Sequence, residues 1–322
     1  MSFNKLNYLK MKKKLLFSAI VIIASGTFLS CNQNDGLDTN PDKRMEVCFS
    51  SNILTLNSPY TRAVDNLWGA NDAIGIYMFE KDELNVVESK SNVKYITLNG
   101  GTKGDFEETG NIIFFPDDGR GVRFMSYYPH DVALTDNVYK VDVSNQTNQP
   151  AIDLLYSFND AKLYSKLDME KKVSLLFNHQ LTKICVNVKP GDGLDEADLG
   201  ALKVSFTGLN TNADFNLFSG LLSELTGSDP ISALGVASVE GYTKSYEAIV
   251  IPTVAIGNAK IRFDLDNGDA GKESDVFAWR FVNALLEGTK YTFNVTVNRS
   301  GIVVEAEITN WINIDAEEVD AE

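Results

Sequence analysis

The sequence predicts an all-β protein: two tandem antiparallel β-sandwich domains behind an exported, lipid-anchored N-terminus. Three observations predict it. Apolar and polar residues alternate at period two along most of the chain. Turn signals such as Asn-Gly-Gly at 99–101 and Pro-Asp-Asp-Gly-Arg-Gly at 116–121 separate the alternating runs. A short apolar leader stops on a single cysteine, Cys31.

The leader comes first. Residues 1–14 hold Lys5, Lys10, Lys12, Lys13 and Lys14 and no acid, and residues 15–30 hold no charge at all. A basic region, an apolar stretch and small residues at a cut site make a secretory signal peptide. The stretch is short for a membrane span, which needs about 20 apolar residues. Phe28, Leu29 and Ser30 precede Cys31 and are similar to a bacterial lipobox. Cleavage between Ser30 and Cys31 would leave Cys31 as the lipidated first residue of the mature chain. The competing reading is an ordinary signal peptide that happens to contain a cysteine. Met11 is an alternative start.

The leader removes five of 29 basic residues and none of the 44 acids, so the mature chain carries net charge −20. Nucleic acid is excluded as a partner, because binding it needs basic patches. Such a charge favours solubility and mutual repulsion at a cell surface. Besides Cys31 only Cys48 and Cys185 remain, too few for a disulfide framework.

Residues 31–44 are polar, contain Gly36 and Pro41, and read as a flexible tether. A first β domain spans 45–168. Its runs are 45–49, with Met45, Val47 and Phe49 on one face, then 73–79, 93–98, 111–115, 122–128, 138–143 and 152–158. Seven strands suit a sandwich. The charged stretch 159–171 marks a boundary, and a second β domain spans 169–322. Its runs are 172–190, 201–206, 212–218, 245–252, 260–265, 276–281 and a hairpin at 289–308 joined by Asn-Arg-Ser-Gly. Short helices are expected near 194–200, 219–226 and 282–287.

Catalytic signals are thin. His130 and His179 lie between strand runs without a partner nucleophile or carboxylate motif, which suits structural hydrogen bonding. No hydrolase, zinc-protease or phosphate-loop pattern occurs. Residues 264–269 share two acids with a calcium loop but lack its remaining ligand spacing, so a hairpin turn is the better reading. The four carboxylates at 191–199 read as a solvated loop and short helix. Trp68, Trp279 and Trp311 are scattered along the chain. No metal and no cofactor are expected.

Five stretches resemble the Bacteroidetes fimbrillin family, the type V pilins and their associated lipoproteins. They are SPYTRAVDNLWGANDAIGIYMF at 58–79, RFMSYYPHD at 123–131, IDLLYSFN at 152–159, VSLLFNHQLTKICVNVKPGDGL at 173–194, and EGTKYTFNVTV at 287–297 followed by ITNWINI. The resemblance runs from about residue 45 to 314. It implies transthyretin-like sandwiches, and assembly by strand exchange. An arginine-specific protease would cut between Arg62 and Ala63 and release the first strand, within 45–57. A neighbour's C-terminal strand would then fill the groove. Carried onto this chain, the donor comprises Ile302, Val304, Ile308, Ile312 and Ile314. The partners implied are other pilin subunits, the protease and outer-membrane lipid through Cys31. The function expected is a structural or fimbria-associated subunit of a surface pilus at the cell outer membrane, serving adhesion and not an enzyme. The alternative is a surface-anchored glycan-binding lipoprotein, which exposed clustered tryptophans would favour.

Overall fold

The computed structural model describes residues 44–53, 67–159, 161–168, 172–265 and 275–310. The leader, Ser30, Cys31, the processing pair Arg62 and Ala63, Trp311, Ile312 and Ile314 lie outside the described residues.

Eight strands occupy the first part: β1 (Cys48–Ile53), β2 (Ala73–Phe79), β3 (Val93–Thr97), β4 (Lys103–Glu108), β5 (Arg123–Tyr128), β6 (Val138–Asp142), β7 (Leu155–Phe158) and β8 (Lys172–His179). All but β6 form a closed ring in the order β1-β4-β3-β2-β5-β7-β8. The ring closes because β1 pairs antiparallel with β4 on one side and parallel with β8 on the other. Eleven more strands follow: β9 (Thr182–Pro190), β10 (Lys203–Thr207), β11 (Asn212–Asn216), β12 (Leu221–Thr226), β13 (Ile231–Ser232), β14 (Leu234–Val236), β15 (Lys244–Val250), β16 (Lys260–Leu265), β17 (Asp275–Arg280), β18 (Thr289–Asn298) and β19 (Gly301–Asn310). They make sheets ordered β13-β10-β16-β17 and β14-β15-β9-β18-β19, and β6 joins β11 and β12 in a third. Sheet membership thus exchanges across position 168. β6 precedes it and pairs with β11, while β8 follows it and completes the first ring.

Two cores share the ring wall. Ile74, Ile76, Met78, Phe124 and Tyr128 face the interior of the ring. Tyr77, Phe79, Met125 and Tyr127, their neighbours on the same strands, face a second core built with β9, β15 and β18. Burial on both faces explains why β2 reads as an unbroken apolar run, while β5, equally buried, carries Arg123 and Ser126 among its apolar residues. Gly75 is needed in this wall: a Cβ there would lie 2.3 Å from the Tyr127 ring and 2.5 Å from Asn92 Oδ1. Tyr127 donates its hydroxyl to that same oxygen at 2.7 Å. Gly75→Ala is therefore expected to destabilise by about 1–3 kcal/mol through overpacking, measured by urea denaturation. An unchanged midpoint would show that the wall relaxes.

Two sequence expectations need correction. Residues 111–115 are not a ladder strand. Their backbone instead lies beside the approach to β1, with Val47 N donating to Ile113 O and Phe115 N to Met45 O, each at 2.9 Å. The missing ring strand is β4, whose Gly104 and Phe106 are its buried positions. The three expected helices are not helical. Residues 221–226 are β12, hydrogen-bonded to β11. Residues 194–200 form turns in which Asp195 Oδ1 accepts the Ala197 amide at 2.9 Å, a local bond that competes with helix. Residues 282–287 lead into β18 through turns and a bridge at Leu285.

Candidate assembly interface

β1 is the seal of the ring, and its sequence explains its seat. Val47, Phe49, Ser51 and Ile53 all point inward and are buried. Phe49 makes edge-to-face contacts with Tyr95 and Phe124, both at 5.1 Å between ring centroids. Phe49 stands opposite Phe106 of β4, and Ser51 opposite Gly104. That glycine makes room: a Cβ on it would lie 3.0 Å from both Ser51 Oγ and Trp68 Cδ1. Ser51 Oγ and Trp68 Nε1 are buried without a hydrogen-bond partner among the described residues. Each such group carries a desolvation penalty of about 1–3 kcal/mol. The seat is thus well packed at Phe49 and poorly satisfied at Ser51.

The second element is the hairpin β18/β19, as the sequence predicts, registered from Thr289↔Asn310 to Asn298↔Gly301. β19 is the edge of its sheet. Ile302 and Val304 are half-buried against the second core. Ala306 and Ile308 are exposed, Ile308 by 52%. A long edge strand with apolar side chains invites pairing with another chain.

The remaining candidates are structural. His179 ends β8 buried, with Nδ1 2.9 Å from Asp153 Oδ1. His130 lies half-buried over Tyr127. Burial, with Lys94 nearby, lowers its pKa, so it stays neutral at physiological pH. Burial pushes the Tyr95 phenol far up, and its oxygen accepts the Ile113 amide at 3.0 Å. Trp68 is 2% exposed, enclosed by Phe106, Tyr128 and Phe177. Trp279 packs inward on Phe281 and Phe293. Trp68 and Trp279 therefore form no open sugar-stacking face among the described residues. Of the suspected calcium loop only Asp264 and Leu265 are described. Sequence reasoning missed Ser51 and Gly104. Their signal was a polar residue interrupting an inward apolar series, and a glycine inside a strand.

The sealing strand and the exposed edge define a β-protein organised around strand edges. The fimbrillin-like family model matches residues 61–311, and the chain belongs to that family. It is 30% identical over 309 residues to a curated Bacteroides uniformis protein named "Putative fimbrium subunit Fim1C", covering 94% of this chain and 96% of that one. Among solved structures it is similar to a "putative cell adhesion protein" from Bacteroides uniformis at 30% identity and TM-score 0.68, covering 84% of this chain and 98% of the other. A second such protein, from Bacteroides ovatus, shares the fold at 22% identity and TM-score 0.62, covering 85% and 100%.

Proposed function

We propose that the chain is a non-enzymatic subunit of a cell-surface fimbrium serving adhesion, delivered to the outer membrane as a lipoprotein on Cys31 and assembled by strand exchange. In this reading a tether at 31–44 leads into two transthyretin-like domains, 45–168 and 169–322, with β6 and β8 exchanged across their junction. An arginine-specific protease cuts between Arg62 and Ala63. β1 then leaves, and the C-terminal strand of a neighbouring subunit enters between β4 and β8.

One observation carries the reading. The inward series of β1 and the residue before it is Val47, Phe49, Ser51, Ile53. The alternating face of β19 is Ile302, Val304, Ala306, Ile308, and in the sequence it continues through Ile312 and Ile314. Laid in the same direction, the two agree as large, large, small, large. Ala306 falls on the Ser51 seat beside Gly104 and replaces an unsatisfied hydroxyl with a methyl group. Shifting the register to bring Asn310 there would place a larger polar group against Trp68. The exchanged state is therefore favoured over the sealed one at this position.

The test is the mature N-terminus. Subunits stripped from isolated fimbriae are expected to begin at Ala63, as read by intact mass and terminal peptide sequencing. Assembled subunits that begin at an acylated Cys31 and retain residues 45–62 would count against strand exchange.

A further inference from the structure

The outer face of the sheet β13-β10-β16-β17 gathers cations in a chain that has 44 acids against 29 bases. Register places Lys260 directly opposite Arg280. Arg262 lies between Ser205 and Ala278, and Lys203 lies opposite Asp264. Lys203, Arg262 and Arg280 are exposed and Lys260 is half-buried. Arg262 approaches Asp264 at 3.5 Å. Neither Lys260 nor Arg280 forms an ion pair among the described residues. Like charges directly opposite each other destabilise an antiparallel pair. Such a pair is tolerated when an anion covers it.

The chain itself contains a matching anion. Beyond Asn310 the sequence reaches DAEEVDAE at 315–322, with Asp315, Glu317, Glu318, Asp320 and Glu322. β17 is the edge of the basic sheet and runs alongside β19. Trp279 and Phe281 face inward onto Phe293, with centroids 5.1 and 5.6 Å apart. Phe293 pairs with Ala306 across the hairpin. Arg280 therefore projects outward at the level of Ala306, four residues before β19 ends at Asn310. From Asn310 to Asp315 the chain can extend about 17 Å, enough to round the edge of β17.

We propose that the acidic segment 315–322 docks on the basic face of its own chain, setting its carboxylates against Lys260 and Arg280 and fastening the end of β19. Each exposed pair is weak. The tether offsets this by keeping the two partners at high effective concentration. Nothing in the inference depends on strand exchange.

Carbodiimide, which joins a lysine directly to a contacting carboxylate, tests it on the full chain at low salt. Equal amounts of ¹⁴N and ¹⁵N protein are mixed before reaction and the peptides are mass-analysed. The expected product joins Lys260 to the 315–322 peptide, with both halves from one isotope. Changing Arg280→Gln should lower the yield about threefold, the loss of one exposed pair. Salt at about 1 M, where screening acts within about 3 Å, should do the same. The double reversal Lys260→Glu with Glu317→Lys should restore a link. Mixed-isotope products would assign the segment to a second copy and overturn same-chain docking. A Lys260 yield no higher than that of exposed Lys81 would overturn docking altogether.

Discussion

A chain that begins at Ala63 is expected to lose the closure of its first ring and the protection of the strands flanking the gap. Val47, Phe49 and Ile53 are buried in the sealed state. Each contributes about 1.5–3 kcal/mol by burial, together a large share of a domain's typical 5–15 kcal/mol. The ladders to β4 and β8 go with them. Hydrogen exchange should show β4 and β8 opening first, while β9 and β18, held in the second core, stay protected. A peptide of residues 301–310 added in excess should restore protection on β4 and β8. If their exchange is the same with and without β1, the strand is no seal and the ring is stable open.

The alternating strands were legible because period two reports one buried face; in the ring wall, where both faces are buried, β2 shows a continuous apolar run instead. β2 and the hairpin β18/β19 read directly from their residues. Closure of the ring did not, because β1 meets β8 across more than a hundred residues, and no local pattern records such pairing. β4 escaped because Lys103, Asp105, Glu107 and Glu108 hide its two inward residues. β12 carries no inward apolar alternation, since all but one of its residues are exposed at the edge of its sheet, so its sequence does not announce a strand. The small residue at the centre of the seat was visible in the sequence as Ser51. Only the structure sets it against Gly104 and Trp68. The basic face was invisible for a related reason: Lys260 and Arg280 are twenty residues apart and meet only through register.

Ala306→Trp is expected to abolish donation while leaving the subunit folded. In its own sheet Ala306 is exposed on the edge strand, opposite Phe293. An added indole there should change stability by no more than about 0.5 kcal/mol. In the proposed seat of a neighbour it meets the space that Gly104 leaves beside Trp68, where even a Cβ on Gly104 would stand 3.0 Å from the Ser51 hydroxyl and the Trp68 ring. Overpacking of this kind costs about 1–3 kcal/mol for single methylenes, and an indole exceeds that by a wide margin. The variant keeps an intact acceptor, since β4, β8 and Trp68 are untouched. After cleavage it should therefore remain monomeric alone. Mixed with wild-type subunits it should accept a strand but offer none, so a small fraction shortens polymers sharply. Size-exclusion chromatography and electron microscopy read both effects, with circular dichroism confirming the fold. Ile308→Asp should also block donation, through burial of a charge at the Ile53 position. If Ala306→Trp polymers grow as long as wild type while Ile308→Asp polymers do not, the donor is this strand in another register. If both grow normally, β19 is not the donor.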